Sequence, residues 1–315
     1  MLNFLRINKA AYLLTFILFV SGCSASKEYL KSGEEKYKAK DYRGAITELD
    51  KIIEIEKDNY RAFFLRGKAN NLINNFRDAA YDFTRALEIQ FTFEAYYNRG
   101  LSFLSMEEYE NAEADLNEAL TINPKSDTAY FSRGYVKTML NKNDEALHDY
   151  DKTIEINPSY LTAYINRANL KSATGDYQGA IDDYTKAISI QSDDFNLYFS
   201  RGYTEMLFGV NDQAISDFNK VTGIDSLNKE AFYLKGDIMT FQKKYAEALS
   251  EYSRIIKIDK KESRAFFKRG MIYLILKKKK NACEDLSKAS DMGFVDAFKE
   301  FQKNCKPPVK LKKKK

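Results

Sequence analysis

A 34-residue period runs through most of this chain and constrains its fold more than any other feature. Small residues recur at steps of 34, 33 and then 34 residues, each with an aromatic four positions before it and an alanine twelve positions after it. The small residues are Gly33, Gly67, Gly100, Gly134, Ala168, Gly202, Gly236 and Gly270. The aromatics are Tyr29, Phe63, Tyr96, Tyr130, Tyr164, Tyr198, Phe232 and Phe266, and the alanines are Ala45, Ala79, Ala112, Ala146, Ala180, Ala214, Ala248 and Ala282. Three patterns with one period indicate a repeat protein.

The spacing predicts that each period is a pair of helices. An aromatic four residues before a glycine lies on the same helical face, so a second helix can approach closely where the glycine stands. Short polar segments such as Lys40-Asp41 and Gly175-Asp176 would form the turn between the two helices. With 14 Gly and 4 Pro in 315 residues, the chain has few of the turns that β-sandwiches and barrels need. A single hairpin cannot bury its apolar faces, so neighbouring hairpins must stack.

This pattern resembles the tetratricopeptide repeat, TPR, in which the alanine is followed by an aromatic or aliphatic residue and the unit often closes with proline. Those aromatic or aliphatic residues are Leu49, Phe83, Leu116, Tyr150, Tyr184, Phe218, Tyr252 and Leu286. The closing proline appears only as Pro124 and Pro158. The resemblance implies an all-α fold: a right-handed superhelical solenoid of about eight TPR helix hairpins with a C-terminal capping helix.

The repeat pattern also predicts the segments of the chain. Residues 1–22 are expected to be a signal peptide, 23–296 the TPR solenoid, 297–305 the capping helix and 306–315 a lysine-rich disordered tail. The units are expected near 26–59, 60–92, 93–126, 127–160, 161–194, 195–228, 229–262 and 263–296.

A ladder of opposite charges accompanies the repeat. The residue before each small residue is basic, with Ser32 as the exception, and an acid stands three residues after each repeat alanine. The bases are Arg66, Arg99, Arg133, Arg167, Arg201, Lys235 and Arg269, and the acids are Glu48, Asp82, Asp115, Asp149, Asp183, Asp217, Glu251 and Asp285. In an antiparallel hairpin the two positions lie at one height, so pairing is predicted within a unit or with the next one. Because each base has a matching acid, a structural ladder is favoured over a row of guanidinium groups that awaits an acidic partner.

Candidate partner-binding residues follow from the resemblance. In TPR stacks the first helices form the concave wall, and the fifth and ninth positions of each unit usually face it. Such positions supply the predicted partner-binding groove residues Tyr97, Phe131, Tyr135, Asn169, Phe199, Tyr203 and Tyr233. Aromatic side chains with a polar tip are typical of recognition surfaces. The alternative, that the fifth position packs between neighbouring units, stays open for the phenylalanines.

The first residues predict export and lipid attachment. Ala10–Val20 is an eleven-residue apolar run after Arg6 and Lys9, which is too short to span a bilayer and fits the hydrophobic part of a signal peptide. The following Val20-Ser21-Gly22-Cys23 resembles the bacterial lipobox, which implies cleavage before Cys23 and acylation of its thiol. In the same resemblance, Ser24 in place of aspartate favours the outer membrane. An ordinary signal peptide with an incidental cysteine is the alternative.

Two further cysteines lie near the C-terminus. Cys283 and Cys305 are 22 residues apart, on helices expected to be antiparallel neighbours. A disulfide between them and two free thiols are equally compatible with the sequence, although an exported chain meets oxidising conditions. The lysine runs at Lys277–Lys280 and in residues 306–315 could meet anionic lipid, but plain solvation is the commoner reading of such runs.

Composition narrows the classes of function. A single histidine, His148, leaves little metal or acid–base chemistry, and the sequence lacks phosphate loops, nucleophile elbows, HExxH and paired CxxC motifs. No catalytic residue, metal or cofactor is predicted. Between Cys23 and Cys305 the chain is slightly acidic, so no nucleic-acid partner is expected.

The sequence therefore predicts a non-enzymatic, lipid-anchored scaffold or adaptor of a bacterial cell envelope. Its partners would be envelope proteins or peptides bound in the groove, and its membrane contact would be the N-terminal anchor; self-association remains open. The alternatives are a structural component of an envelope secretion or assembly machine and, less favoured, an enzyme or small-molecule carrier. These functional expectations rest on resemblance at the level of the fold.

Overall fold

The computed structural model describes residues 25–305, and within that range the chain forms helices and no β-strand. This confirms the all-α prediction. The helices are α1 (25–38), α2 (Tyr42–Ile55), α3 (Tyr60–Leu72), α4 (Phe76–Ile89), α5 (Phe93–Ser105), α6 (Tyr109–Ile122), α7 (Asp127–Met139), α8 (Asn143–Ile156), α9 (Leu161–Thr174), α10 (Tyr177–Ile190), α11 (Phe195–Phe208), α12 (Asn211–Ile224), α13 (Lys229–Phe241), α14 (Tyr245–Ile258), α15 (Ser263–Ile275), α16 (Lys279–Asp291) and α17 (Val295–Asn304).

The chain divides into two compact units, an N-terminal unit that ends at Ala163 and a C-terminal unit that begins at Tyr164. In each unit, odd-numbered helices up to α15 pack on the even-numbered helix that follows, and each such hairpin packs on the next. We call the two members of a hairpin its first and second helix. The C-terminal unit ends with α17, which packs on α16.

Four first helices begin after a residue whose side chain caps them in the same way. The side chains of Asn59, Thr92, Ser126 and Asn228 accept a hydrogen bond from the backbone N–H three residues later. Such caps satisfy a backbone donor that has no partner inside the helix, and each contributes roughly 1 kcal/mol. They explain why the repeat places Asn, Ser or Thr directly before the helix.

The turn inside each hairpin requires a left-handed backbone. Glycine takes this conformation at Gly175 and Gly209, with φ of 91° and 89°, without the steric penalty of a Cβ atom. Other hairpins place a residue with a side chain there, at φ between 58° and 63°. Those residues are Lys40, Asn74, Glu107, Asn141, Lys243 and Lys277. The turn geometry is therefore kept although the residue type varies.

The repeated glycines allow close packing within the hairpin. A Cβ atom added at Gly134 would lie 2.9 Å from the ring of Tyr150, and one added at Gly236 would lie 2.8 Å from the ring of Tyr252. Both tyrosine rings are fully buried, so neither can move aside at low cost. At Gly134 the Cβ position is closer to the aromatic ring sixteen residues later than to the repeat alanine. The backbone oxygen of that alanine, Ala146, lies 3.3 Å away.

A disulfide bond links α16 to the residue that follows α17. Cys283 near the start of α16 and Cys305 after α17 form a disulfide, with 5.6 Å between their Cα atoms. The structure thus contains the bridged one of the two alternatives that the sequence leaves open. The predicted capping segment, residues 297–305, corresponds to α17 and the cysteine that follows it. In the described part of the chain, no helix has the length and apolarity needed to cross a bilayer.

Candidate functional site

The charge ladder pairs the two helices of each hairpin. Arg99 Nη2 donates to Asp115 Oδ1 at 2.6 Å while its Nε donates to Asp115 Oδ2 at 2.7 Å, a bidentate arrangement. The same contact joins residues sixteen apart in the other hairpins that carry an arginine. These pairs are Arg66–Asp82, Arg133–Asp149, Arg167–Asp183, Arg201–Asp217 and Arg269–Asp285, with Lys235–Glu251 at 3.2 Å in the seventh repeat. Of the two pairings that the sequence left open, the structure contains the one within a unit.

The acids of the ladder are removed from water. Asp82, Asp149 and Asp183 are at most 3% exposed. Burial raises the pKa of Asp82 above its ordinary value, against the lowering effect of the hydrogen bonds from Arg66. The aromatic three residues before each base covers the guanidinium, as Tyr130 does for Arg133 at 5.4 Å. The ladder is therefore a structural element and its guanidinium groups are already occupied.

Most of these arginines also reach the preceding hairpin. Arg66 Nη1 donates to Asp50 at 2.6 Å, and Arg133 Nη1 donates to Asn117 at 2.8 Å. In the C-terminal unit, Arg201 and Arg269 contact Thr185 and Ser253 in the same way. One guanidinium thus joins three helices, which the sequence pattern alone did not reveal.

The first repeat replaces the missing base. Ser32 stands at the ladder position, and Lys36, one helical turn later, donates to Glu48 at 2.7 Å. Lys51 contacts the other oxygen of Glu48 at 2.9 Å. Hydrogen bonds from both lysines lower the pKa of Glu48. The residue four positions after the ladder base is therefore a second contributor to the ladder.

That second position carries opposite charge in the sixth repeat. Lys137 and Lys171 contact Asp149 and Asp183 at 3.0 Å and 2.9 Å, whereas the equivalent residue of the sixth repeat is Glu205. Glu205 is 5% exposed, and its nearest base is Arg201, at 3.9 Å. Burial, together with the neighbouring Asp217, raises the pKa of Glu205 to about 7.

Three predicted partner-binding residues lie together in the C-terminal unit. Asn169, Phe199 and Tyr203 line one cleft of about 350 Å³ between α9 and α11. Tyr203 is 44% exposed, and Leu207 and Ala173 add apolar surface. Tyr184, which also lines the cleft, donates from its hydroxyl to Asn169 Oδ1 and so fixes the amide. The cleft presents an exposed phenol, an oriented amide and an apolar wall.

The other predicted residues are distributed differently. In the N-terminal unit Tyr135 is 40% exposed, while Phe131 is half-buried against Tyr150 and Tyr160. Tyr97 is half-buried and stacks on Phe93 with 5.6 Å between the ring centroids.

Tyr233, in the C-terminal unit, is only 3% exposed, with Arg264 lying 4.2 Å over its ring. Burial raises its pKa. Tyr233 therefore packs inside the stack, the alternative role of the fifth position, and offers little surface to a partner.

A second cleft lies in the N-terminal unit and combines Phe64, a fifth-position aromatic that the resemblance places on the concave wall, with residues that the sequence analysis did not single out. Tyr37, Tyr60, Phe64 and Lys68 line about 420 Å³ between α1 and α3. Lys68 Nζ lies over the rings of Tyr37 and Phe64 at 5.4 and 5.8 Å. The aromatics at the first and fifth positions of the second repeat were the available signal, because they face the same neighbouring helix.

The described residues offer little metal-binding or acid–base chemistry. Within residues 25–305, no group of three or more His, Cys, Asp or Glu side chains is placed to hold a metal ion. His148 is exposed on α8. Cys23, the predicted site of lipid attachment, lies outside the described residues.

Comparison with known proteins identifies the repeats. Profiles of the tetratricopeptide repeat match residues 93–126, 161–194 and 263–292. No curated protein matches the chain.

Solved structures share the fold. The MamA protein aligns with 25% identity and a TM-score of 0.51, over 54% of this chain and 93% of its own. YrrB, described as a TPR protein with an unusual peptide-binding site, aligns with 22% identity and a TM-score of 0.50, over 59% of this chain and 97% of its own. A tetratricopeptide repeat protein from Parabacteroides merdae aligns with 21% identity and a TM-score of 0.54, over 89% of this chain and 98% of its own.

Tetratricopeptide repeats generally mediate interactions between proteins, and their fold is typically a scaffold without catalytic activity. The periodic sequence, the paired helices, the profile matches and the structural likeness agree. This chain contains tetratricopeptide repeats.

Proposed function

We propose that this chain is a non-enzymatic scaffold of a bacterial cell envelope, anchored by lipid at Cys23, that binds a protein or peptide on its first helices. The cleft lined by Asn169, Phe199 and Tyr203 carries the proposal. It joins apolar walls with an oriented amide and a phenol, which suits an extended segment with one apolar anchor. YrrB supports the proposal, because it has the same fold and a peptide-binding site.

Two observations support an exported location. Val20-Ser21-Gly22-Cys23 follows an apolar run in the order of a lipobox. The Cys283–Cys305 disulfide fits an oxidising compartment such as the periplasm, since such bridges are rare in the reducing cytosol.

Site-specific photo-crosslinking in the native envelope tests the binding proposal. A photoreactive residue at Tyr203 lies in the cleft, and one at Lys220 lies exposed on the second helix α12 of the same repeat. Capture of one defined protein from position 203 and none from position 220 is the expected result. A second pair, Tyr135 against Lys152, asks the same question in the N-terminal unit. Equal capture from cleft and control positions would exclude the clefts as the binding surface.

Lipid attachment has an independent test. Metabolic labelling with a fatty acid should mark the native chain and leave the Cys23→Ser variant unlabelled. The variant should also move from the membrane to the soluble fraction. Equal labelling of both chains would contradict the assignment of Cys23 without affecting the cleft.

A further inference from the structure

One edge of the C-terminal unit combines lysines with exposed apolar side chains. Lys243 and Lys244 follow α13, Lys277 and Lys278 follow α15, and Lys279 and Lys280 begin α16; all of them are exposed. The last turns of the first helices add Leu207, Phe208, Phe241 and Ile275, which are 45%, 47%, 79% and 52% exposed. We call these residues together the lysine edge.

The contacts of the unit place these residues side by side. Gln242 and Lys244 both reach Asp212 at the start of α12, at 3.1 and 3.7 Å, so adjacent turns touch. Phe241 and Ile275 line one cleft of about 410 Å³ between α13 and α15. The lysine edge is thus a continuous surface across three hairpins.

Lys277–Lys280 lie at a helix N-terminus, where the helix dipole disfavours positive charge. The positive end of a helix dipole favours acids, and α12 and α14 begin with Asp212 and Glu247. Helix α16 instead begins within the lysine run and has no acid in its first turn. In the described part of the chain, no carboxylate lies within ion-pair distance of these four lysines. Positive charge at a helix N-terminus is unfavourable, and no neighbouring carboxylate compensates it here. Such an arrangement indicates a surface that binds a partner outside the chain.

The turns on the opposite edge of the same unit contain more acids than lysines. These turns contain Asp193, Asp194, Asp225, Asp259 and Glu262. Lys229 contacts Asp259 and Glu262 at 3.0 and 2.6 Å, and Lys260 and Lys261 stand between those two acids in the chain. The unit is therefore polarised in charge, because the turns of the lysine edge are positive and those of the opposite edge are negative, while both edges expose apolar side chains such as Phe241 and Leu227.

We propose that the lysine edge docks on the surface of an anionic phospholipid bilayer. Lysines near such a surface are attracted by its negative potential, and large apolar side chains between them gain by entering the interface. A nucleic acid would satisfy the lysines and leave Phe241 and Ile275 in water, so a bilayer fits the combination better. The docking surface is separate from the peptide cleft and does not depend on the anchor at Cys23.

Vesicle sedimentation of the full chain tests the proposal. Vesicles of phosphatidylcholine alone are compared with vesicles that also contain phosphatidylglycerol. The native chain should bind the anionic vesicles more tightly, and the preference should weaken with salt. The Lys278→Gln/Lys279→Gln variant should bind them roughly thirtyfold more weakly. The N-terminal segment is the same in every variant, so differences report the lysine edge.

Matched variants on the opposite edge provide the controls. Lys260→Gln/Lys261→Gln removes the same charge, and Leu227→Ser, at a residue 68% exposed, controls for Phe241→Ser. Phe241→Ser should weaken binding roughly tenfold, and both controls should stay within about twofold of the native chain. Equal loss in the control variants, or equal binding to neutral and anionic vesicles, would overturn the proposal. So would retention of vesicle binding by Lys278→Gln/Lys279→Gln with loss of binding to single-stranded DNA.

Discussion

The fifth and sixth repeats share one ladder and differ at a single charge. In the fifth repeat Asp183 is held by Arg167 and Lys171, so one buried carboxylate meets two cations. In the sixth, Asp217 and Glu205 share Arg201. Both arrangements fit the same helices, so the fold tolerates a buried group whose charge is poorly compensated. The difference predicts where the stack is firmly held and where its stability responds to pH.

Removal of the acid from the fifth repeat should have the largest effect. Asp183→Ala leaves Arg167 and Lys171 without their shared carboxylate in a buried site, which should cost about 3–5 kcal/mol. Chemical denaturation followed by circular dichroism measures the loss. An unfolding curve like that of the native chain would mean that this pair is solvated.

Glu205 should make stability fall as pH rises. Its pKa is about 7 in the folded chain and 4.5 ordinarily, so between those values the folded chain keeps a proton that the unfolded chain releases. The stabilisation is complete below pH 4.5 and lost above about pH 7, a change of roughly 3 kcal/mol. Glu205→Gln should remove this part of the pH dependence. Melting curves of both chains across the window measure it, and parallel profiles would contradict the assignment.

Asp217→Ala should cost less than Asp183→Ala, about 1 to 3 kcal/mol. Glu205 remains beside Arg201 and can replace the lost partner, an option that the fifth repeat does not have. The variant should also lower the pKa of Glu205, because the repulsion from Asp217 is gone. Side-by-side denaturation of the two alanine variants tests the ranking, which a larger loss at Asp217 would reverse.

The smallest effect is expected on the outer surface. Lys152→Gln removes an ion pair with Glu155 in which the side chains are 39% and 68% exposed. Exposed pairs are screened by water and salt and contribute little. The melting temperature should match that of the native chain within error. A clear drop would show that exposure alone does not separate strong from weak members of these charge networks.

The sequence predicted the helical hairpins and the ladder well because both repeat with the period of the fold. It predicted less where one residue departs from the repeat. Lys36 replaces the base missing at Ser32 from one turn away, and the charge reversal at Glu205 becomes visible only when the two helices face each other. Tyr233 belongs to a position that can face a groove or the next repeat, and only packing around Arg264 decides between them.

The arginines that join consecutive hairpins also bear on how such a chain can change in length. Arg133 contacts residues sixteen positions before and after it, and Arg201 does the same in the other unit. Where one repeat is a residue shorter, Arg99 reaches Thr84, fifteen positions back. Deletion or duplication of one complete period would therefore bring each of these arginines to an equivalent acceptor. The number of repeats is free to drift in evolution, while the surface on each copy can specialise independently.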